Sequence, residues 1–331
     1  MSKLYQSLLW KTINKDILKK PTFEVEILGK KYFGIVKEKS KFGVKFRWYQ
    51  VMGVDVDFDN NFSNELQNIK RQFGGDFGNI LFQFGFTNIV DEARSSDMKD
   101  SVIVENIRNN QKKISSDITK KYNLKPSFRE NMPPATVLID LEKSEEEIWN
   151  EISKNTKQKI KKGKSKGLEF GIANKEDIEE FYNLWYTTLG SKGYSILPKK
   201  DYENLIHFCK NEEVGDLFLV KKDGKIVAGS ICVYENDEVY YLYGAASREF
   251  GNIGQHHFLK YSLFNHLKTL GYRQFDLLGV APAGDADHPL VSVSDFKKSL
   301  GGNFVQYVGN FDLVLSNFLY NVFEVSRKFR S

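Results

Sequence analysis

The clearest alternation of apolar and polar positions lies between residues 225 and 279. Two runs rich in β-branched and aromatic residues, KIVAGSICVY and EVYYLYGAA, flank the turn residues Asn236 and Asp237, and this pattern predicts a β-hairpin. The following segment ends at Gly271, and its apolar residues have the spacing of one buried helix face: Phe258, Leu259, Leu263, Phe264 and Leu267. The next run, QFDLLGV, predicts a short buried strand.

A hairpin, a helix and a further strand, with small residues where the helix begins, resemble the core of an N-acetyltransferase-like (GNAT) fold. Such a core binds an acyl donor between two strands that splay apart. The first part of the chain has the same order of elements without the same residues, including a predicted helix over residues 64–73, the strand GNILFQFGF and a polar helix over residues 97–122. The segment KPSFRENMPPAT, with three prolines, separates the two parts.

We therefore predict a mixed α+β fold of two tandem GNAT-like domains, each a mixed, mostly antiparallel sheet flanked by helices. The first domain is expected over residues 1–134 and the second over residues 135–311. Residues 312–331 form an amphipathic helix that we expect to pack back on the body. The basic residues Arg327, Lys328 and Arg330 lie at its C-terminus, where the helix dipole favours cations, and this placement favours packing; contact with a membrane surface is the alternative.

A lysine-rich segment follows the strand TVLIDL. The pattern predicts one helix that begins at Ser144, where Glu147 completes a capping-box spacing. The end of this helix carries seven lysines and no acid: Lys154, Lys157, Lys159, Lys161, Lys162, Lys164 and Lys166. Two interpretations stay open, a solvated helix end or a surface that binds the phosphates of RNA or of a nucleotide diphosphate.

Composition and charge limit the number of domains, the kind of partner and the compartment that we expect. The chain has 331 residues, enough for about two domains, and its net charge of +5 permits an anionic partner without requiring one. Cys209 and Cys232 lie in apolar segments, so we expect no disulfide framework and a reducing cytoplasm. No apolar run approaches the roughly 20 residues of a membrane span, and the start of the chain lacks the pattern of a signal peptide.

The common catalytic motifs are missing. The sequence has no P-loop, no G-x-S-x-G and no zinc-type spacing of cysteine and histidine. His256 and His257 are adjacent, so on a helix they diverge by about 100° and cannot face one metal ion. His288, near two aspartates, is a weak candidate for a metal ligand or base. We expect neither a metal nor a cofactor.

Six segments between about residues 136 and 315 occur in an order that resembles the Fem-type aminoacyltransferases, which build peptidoglycan cross-bridges. They read IDLEKSEEEIWNEISKNTKQKIKKGKSKGLEF, FYNLWYTT, LFLVKKDGKIVAG, YYLYGA, FDLLGV and FKKSLGG. A fainter resemblance covers QSLLW, FRWYQVMGVDVDFDN and LKPS in the first part. The resemblance implies transfer of an amino acid from aminoacyl-tRNA to an amine on the stem peptide of a UDP-linked or lipid-linked muropeptide. We expect a monomer.

The resemblance also implies site residues. Lys297 would stabilise the oxyanion or hold the tRNA terminus, and Phe296 would stack on the terminal adenine. Substrate-binding candidates are Trp10, Lys11, Lys192, Tyr240, Tyr243, Asp276 and Gly279, and the phosphate-binding candidates are Lys154, Lys157, Lys161 and Lys164. Strand alternation predicts that Tyr240 and Tyr241 face opposite sides, one lining the cleft and one in the core. Asp276 is expected to orient a backbone loop.

Three positions depart from the family pattern. Gly85 stands where many members have an acid, Ser191 replaces an arginine, and Asn14 replaces a lysine, with Lys11 and Lys15 nearby. The group that removes the proton from the acceptor amine therefore stays open. Two alternatives remain: a CoA-dependent N-acyltransferase, based on the partial R-x-x-G-x-G match that begins at Arg248, and a degenerate Fem-like protein that binds muropeptide or tRNA without turnover.

Overall fold

The computed structural model describes residues 3–41, 43–190, 196–247 and 249–328. The strands of these residues are β1 Thr22–Ile27, β2 Lys30–Lys41, β3 Val44–Val54, β4 Asn79–Arg94, β5 Lys125–Pro126, β6 Ala135–Asp140, β7 Glu169–Ile172, β8 Gly215–Lys222, β9 Lys225–Glu235, β10 Glu238–Ala246, β11 Gln274–Asp276 and β12 Asn303–Val314. The α-helices are α1 Leu8–Thr12, α2 Asn60–Phe73, α3 Ser101–Tyr122, α4 Glu145–Glu151, α5 Lys154–Ser165, α6 Asp177–Gly190, α7 Lys199–Asn211, α8 Gln255–Thr269, α9 Val291–Lys298 and α10 Asn317–Lys328.

All twelve strands join one mixed sheet across the described part of the chain. Its order is β1-β2-β3-β4-β12-β6-β11-β10-β9-β8-β7, and β5 pairs with β12. Most neighbours are antiparallel, but β3 pairs with β4 and β10 with β11 in parallel. The mixed, GNAT-like fold predicted from the sequence is confirmed.

The first half of the sheet buries one aromatic face. In the run FQFGF of β4, Phe82, Phe84 and Phe86 alternate with Gln83 and Gly85, and all three phenylalanines are fully buried. They pack against α2 and α3, because alternate residues of a strand point to the same side of the sheet. Asp59 begins α2 by accepting a hydrogen bond from the backbone N of Phe62 at 3.1 Å.

The last strand, β12, joins the two halves of the sheet. Along β4 it runs from Asn303 opposite Arg94 to Val314 opposite Leu81. Over its first four residues it also pairs with β6, which belongs to the second half. A strand near the end of the chain therefore lies at the centre of the sheet and completes the first half. The division of the chain into domains at residues 134 and 311 stays a prediction.

The predicted helix from Ser144 through the lysines is wrong in one respect, because the structure has two helices there. The capping box of Ser144 and Glu147 is present and begins α4. Ile152 then adopts an extended conformation, and Ser153 begins α5 by accepting a hydrogen bond from the N of Thr156 at 3.4 Å. A second capping serine, followed by a polar first turn, breaks the helix and leaves the N-terminus of α5 accessible.

The second half is built around α8. Its buried face, including Leu259, Leu263, Phe264 and Leu267, packs on β8 and β9, and the helix follows the hairpin of β9 and β10 as predicted. None of the helices in the described ranges combines the length and the apolar character that crossing a membrane requires.

Candidate functional site

A cavity of about 660 Å³ opens where β10 and β11 part. The two strands pair only from Glu238 to Tyr240, opposite Gln274 to Asp276. Beyond that point the cavity is bounded by the second part of β10 from Tyr241 onward, by the first turn of α8 and the loop before it, and by α9. The opening between splayed strands that the sequence predicts is therefore present.

Lys297 reaches the wall of this cavity from α9 and is almost completely buried, with 6% of the residue exposed. Its Nζ donates hydrogen bonds of 2.8 Å to the backbone oxygens of Leu278 and Gly279. The start of α9 is fixed by Ser294, whose Oγ accepts from the backbone N of Ala281 at 2.7 Å. Carbonyl oxygens thus accept two hydrogens of the Lys297 amine, and no third hydrogen-bond partner of this amine lies among the described residues.

Asp276 holds the same turn from the other side. Leu278 has a left-handed φ of 52°, and its backbone N donates to Asp276 Oδ1 at 2.8 Å. The Thr136 hydroxyl donates to the same carboxylate oxygen. Asp276 therefore fixes the backbone turn at Leu278 and Gly279. The carbonyl oxygens of this turn position the amine of Lys297.

Burial controls the protonation of both groups. It raises the pKa of Asp276 to about 6, against the hydrogen bonds from Thr136 and Leu278. Burial also lowers the pKa of Lys297 to about 7, against the attraction of Asp276. At neutral pH the carboxyl is mostly ionised, and the neutral and protonated forms of the amine are both populated.

A second buried lysine lies behind the cavity wall. Lys260, on α8, is fully buried, and its Nζ donates to Ser230 Oγ at 2.8 Å. The same Nζ lies 3.1 Å from the ring centroid of Tyr241, while Lys297 Nζ lies 5.6 Å from that centroid. Burial lowers the pKa of Lys260 well below its ordinary value, and the charge of Lys297 acts in the same direction.

The sequence analysis did not identify Lys260 as a site residue. One signal was available, since Lys260 precedes Phe264 and Leu267 by four and seven positions and therefore lies on the apolar face of the helix. Gly244 is also needed here, because a Cβ at that position would lie 2.0 Å from the Tyr241 hydroxyl.

Phe296 lies between two histidines at the edge of the cavity. Its ring stacks on His256 at 4.7 Å with an interplanar angle of 21° and meets His257 edge-on at 5.0 Å. Burial, with a contribution from the charge of Lys159, lowers the pKa of His257 to about 4. Phe296 therefore packs between two aromatic rings, and the His257 ring is neutral at neutral pH.

The structure places the two predicted tyrosines away from the cavity. Tyr240 is fully buried, where its hydroxyl accepts from the backbone N of Lys3 at 3.1 Å and donates to Glu238. Tyr243 packs on Trp185 with ring centroids 5.2 Å apart. Tyr241 lines the cavity instead. A register shift of β10 against β9 between Tyr241 and Tyr243 puts these two residues outside simple alternation.

The candidates near the start of the chain lie in a separate cluster. Trp10 packs edge-on against Tyr5 with centroids 5.6 Å apart, and Lys11 forms an ion pair with Glu24. Neither residue lines the 660 Å³ cavity. Lys192 and its neighbour Ser191 lie outside the described residues.

A lysine from another position stands beside Asn14. Lys20 Nζ donates to Asn14 Oδ1 at 2.7 Å, so an amine reaches the site where the family pattern has a lysine. Burial lowers the pKa of Lys20 to about 8, and the charge of Lys37 adds to this effect. The sequence analysis named only Lys11 and Lys15 as nearby lysines, and the structure brings Lys20 to Asn14 instead.

Gly85 occupies a crowded position on β4. A Cβ there would lie 2.9 Å from the Cβ of Met132 and 3.0 Å from Asn131 Oδ1. Asn310 closes the third side and donates from Nδ2 to the Met132 oxygen at 2.7 Å. A carboxylate would not fit here without movement of these neighbours.

Gly279 and the phosphate-binding candidates have different surroundings. Gly279 supplies one of the two oxygens bound by Lys297, and a Cβ at this position would lie 3.1 Å from Pro133 Cγ. On α5, Lys154, Lys161 and Lys164 are exposed, whereas Lys157 Nζ donates to the Asn150 oxygen at 3.1 Å. In the described part of the chain, no three histidine, cysteine or acidic side chains converge as metal ligands.

Comparisons with known proteins agree with this architecture. A family model described as acetyltransferase (GNAT) domain matches residues 151–298. The lipid II:glycine glycyltransferases of Staphylococcus haemolyticus (strain JCSC1435) and of Staphylococcus aureus (strain USA300) are each 19% identical to this chain, over 58% of it. The chain covers 61% of the length of these curated relatives.

Two solved structures share the fold over almost the whole chain. The crystal structure of FemX has a TM-score of 0.67 and 17% identity, and the match covers 97% of this chain and 94% of that one. The C-terminal domain of a putative lysylphosphatidylglycerol synthetase from Agrobacterium fabrum has a TM-score of 0.53 and 13% identity, with 96% and 91% covered. The chain is therefore similar to these proteins in sequence, and it shares the fold of the two solved structures.

Proposed function

We propose that this protein is an aminoacyltransferase that moves an amino acid from aminoacyl-tRNA to an amine on the stem peptide of a peptidoglycan precursor. The curated relatives are named for transfer to lipid II, which supports a muropeptide acceptor, lipid-linked or UDP-linked. The proposal places the protein in the cytoplasm as a monomer, with peripheral contact at the membrane when the acceptor is lipid-linked. It needs no metal or cofactor, because an aminoacyl ester is already activated.

The observation that carries the proposal is the placement of Lys297. Its amine lies at the wall of the cavity formed where β10 and β11 part, and two carbonyl oxygens fix its position. No aspartate or glutamate lines this cavity within the described residues. His256 and His257 also line the cavity, but His257, with a pKa of about 4, is a weak base, and His256 stacks on Phe296. We therefore assign proton exchange with a bound ester to Lys297.

The chemistry can be completed with this one group. The acceptor amine, in its free-base form, attacks the ester carbonyl carbon and forms the new C–N bond. The neutral Lys297 amine takes a proton from the attacking nitrogen. The resulting ammonium then gives that proton to the ribose oxygen as the C–O bond breaks. The products are an amide and a free ribose hydroxyl, and Lys297 returns to its neutral form.

This route needs no acid at residue 85. The family pattern has a carboxylate there, but in this chain the position is Gly85 and its surroundings are filled. A pKa of about 7 lets Lys297 take and return a proton near neutral pH. Phe296, stacked on His256, offers an aromatic face for the terminal adenine of the donor.

The test is transfer of radiolabelled amino acids from a pool of charged total tRNA to two acceptors, a UDP-linked muropeptide and lipid II, with and without RNase. We expect labelled product that RNase abolishes, and the label would identify the amino acid. Absence of transfer to both acceptors, with a folded protein, would contradict the proposal and favour a Fem-like protein that only binds its ligands.

A CoA-dependent N-acyltransferase is the second candidate. The loop before α8 borders the cavity and contains Gly251 and Gly254, both with positive φ, as an acyl-CoA pyrophosphate loop would require. The basic residue of that partial motif, Arg248, lies outside the described residues. Labelled acetyl-CoA in a parallel assay separates the two candidates, because RNase leaves a CoA-dependent reaction unchanged.

A further inference from the structure

The helix α10 packs against the sheet by one face. Its buried residues Leu319 and Tyr320 and the partly buried Phe323 form a cluster with Trp48 of β3, and the rings of Trp48 and Phe323 lie 5.4 Å apart. The Tyr320 hydroxyl donates a hydrogen bond to Asp312 Oδ2 at 3.1 Å. These contacts fix which face of α10 points away from the protein.

The outward face of α10 is apolar as well. Phe318, Val322 and Val325 lie at helical spacing, and 70%, 52% and 52% of these residues are exposed. None of the residues of α10 described as exposed carries a charge, and the one acid of this helix, Glu324, is half-buried. A helix that packs by one face ordinarily presents charged residues to water on the other. Packing within the chain therefore does not account for this stripe of three apolar side chains.

Lysines border the stripe. Lys37 and Lys39 of β2 are exposed and lie directly opposite aromatic residues of β3 that pack against α10, so they are on the same face of the sheet as this helix. Lys125 Nζ lies 4.6 Å from the ring centroid of Tyr320. Within the described ranges, none of these three lysines forms an ion pair with an acid. Apolar side chains bordered by cations are the combination that binds an anionic lipid surface.

The size and the chemistry of the stripe argue against other occupants. Phe318 and Val325 are seven positions apart (325 − 318), which is about 10 Å along a helix that is about 10–12 Å wide. This area is far below the roughly 800 Å² that each partner buries in a stable protein interface. RNA is also a poor fit, because two of the three side chains are aliphatic and offer no ring for a base to stack on.

We propose that a membrane surface with anionic lipids binds this face of α10. The apolar stripe enters the boundary between headgroups and acyl chains, and the bordering lysines lie at the lipid phosphates. The proposal rests on the proposed function for its purpose, because a lipid-linked acceptor requires the enzyme at the bilayer. The six residues of this docking surface are Phe318, Val322, Val325, Lys37, Lys39 and Lys125.

The docking surface lies on the same side of the sheet as the cluster near the start of the chain. Lys20, which reaches Asn14, is close enough to Lys37 for the charge of Lys37 to contribute to the lowering of its pKa. A protein docked by α10 therefore holds this cluster near the bilayer, where the headgroup of a lipid-linked acceptor lies.

The first experiment measures co-sedimentation with vesicles of phosphatidylcholine alone or mixed equally with phosphatidylglycerol. We expect the unchanged protein to bind the anionic vesicles at least about tenfold more tightly. The variant Phe318→Gln/Val322→Gln should weaken this binding at least about tenfold, because two apolar side chains no longer enter the bilayer. The variant Lys37→Gln/Lys39→Gln should weaken it by about fivefold per lysine, and only on anionic vesicles.

Two matched double variants control for apolar area and for charge. Val102→Gln/Leu270→Gln removes two exposed apolar side chains from other parts of the surface. Lys112→Gln/Lys120→Gln removes two exposed lysines of α3, which packs on the opposite face of the sheet. Both control variants should bind vesicles within about twofold of the unchanged protein, since they remove no direct contact. Equal weakening by the control variants would overturn the proposal.

A fluorescent label tests the contact without relying on loss of binding. Cys209 and Cys232 are buried, so Val322→Cys can be labelled selectively with the fluorophore NBD. We expect NBD emission at this position to rise and to shift to shorter wavelength when anionic vesicles are added, and NBD at Val102→Cys to stay unchanged. An unchanged spectrum at residue 322 while the protein is bound to vesicles would mean that another surface binds them.

Sedimentation velocity and tRNA binding test the other occupants. If Phe318→Gln/Val322→Gln dissociates an oligomer and leaves vesicle binding unchanged, the stripe contacts a second copy of the chain and the lipid assignment is wrong. If the same variant weakens tRNA binding and leaves vesicle binding unchanged, the stripe belongs to the RNA surface and the assignment is again wrong.

Transfer assays separate this proposal from the proposed function. The acceptors are lipid II in anionic vesicles and a UDP-linked muropeptide in solution. Phe318→Gln/Val322→Gln should lower the ratio of transfer to lipid II over transfer to the soluble acceptor at least about tenfold, by analogy with its loss of vesicle binding. An unchanged ratio would contradict the docking surface alone. Absence of transfer to both acceptors by the unchanged protein, with vesicle binding intact, would instead contradict the proposed function alone.

Discussion

At the scale of single residues, the contacts that fix the position of Lys297 also bury its amine and lower its pKa. Its two hydrogen bonds go to consecutive carbonyl oxygens, and the turn that carries them is fixed by Asp276 through the backbone N of Leu278. The titratable groups that face it are Asp276, Lys260 and Tyr241. A lysine that is buried beside a second buried lysine loses its proton more easily than one in water.

The pH dependence of the reaction follows from this arrangement. Protonation of Lys297 removes the base. We therefore expect kcat/KM, divided by the free-base fraction of the acceptor amine, to level off above about pH 7 and to fall about tenfold for each pH unit below it. Protonation of Asp276 near pH 6 should steepen the fall. The profile is measured at saturating donor. A rate that falls above pH 7 would mean that the cationic form of Lys297 is the active one.

Two substitutions of Lys297 distinguish a role in proton transfer from a role as a fixed positive charge. Lys297→Ala should lower turnover at least about tenfold while the circular dichroism spectrum stays that of a folded protein. Lys297→Arg keeps a cation that does not deprotonate, so it should be as inactive as the alanine variant. Substantial activity in the arginine variant would favour stabilisation of the oxyanion, and unchanged turnover in both would remove Lys297 from the mechanism.

At the scale of elements, α5 presents its lysines in two environments. Lys159 lines a second cavity, of about 580 Å³, between the end of β4, the start of α5 and α9, whereas Lys154, Lys161 and Lys164 are exposed. The break at Ser153 creates this arrangement, because a continuous helix would have no N-terminus at the cavity. The two interpretations of the lysine run, solvated face and phosphate contact, can therefore apply to different residues of one helix.

Binding of whole tRNA tests how far the exposed lysines contribute. We expect the affinity for tRNA to weaken steeply with salt, and a Lys154→Gln/Lys161→Gln/Lys164→Gln variant to show a shallower salt dependence. The measurement is filter binding of tRNA between 50 and 200 mM salt, about the range over which phosphate contacts change affinity strongly. Identical salt slopes for this variant and the unchanged protein would make these three lysines a solvated face.

The sequence predicted the elements better than the site. The hairpin of β9 and β10, α8 and the short strand β11 follow directly from apolar spacing, because each buries one face. Tyr241 could not be chosen over Tyr240 in advance, because strand alternation shows that the two face opposite sides but not which side is the cavity. The register shift that turns Tyr243 away from the cavity has no signal in the residues themselves. Lys260 and the second cavity also depend on contacts between distant segments, which local patterns do not contain.

At the scale of the molecule, β12 makes the two halves mutually dependent. It pairs with β4 along most of its length and with β6 at its start. Lys297, on α9, precedes it by only a short turn, while Ser95 follows the β4 strand to which it pairs. The same strand therefore joins the halves of the sheet and brings together the two walls of the second cavity.

A destabilising substitution in β12 should lower the stability of both halves of the sheet. Phe311 is buried and packs in the core of the first half. We expect Phe311→Ala to lower the free energy of unfolding by about 3–5 kcal/mol and to keep one unfolding transition. Single-tryptophan variants that retain either Trp48 or Trp149 report on the two halves during denaturation. Separate midpoints for the two reporters would contradict the coupling of the halves through this strand.

The position of β12 also has a consequence for synthesis on the ribosome. β4 ends at Arg94, but its partner is complete only at Val314, 220 residues later (314 − 94). At about 5–20 residues per second, that interval is roughly 10 to 45 seconds. During it, one edge of an aromatic strand has no partner within the chain, and such an edge can pair with other chains. We therefore expect the nascent chain to be most prone to pairing with other chains before its final strand emerges.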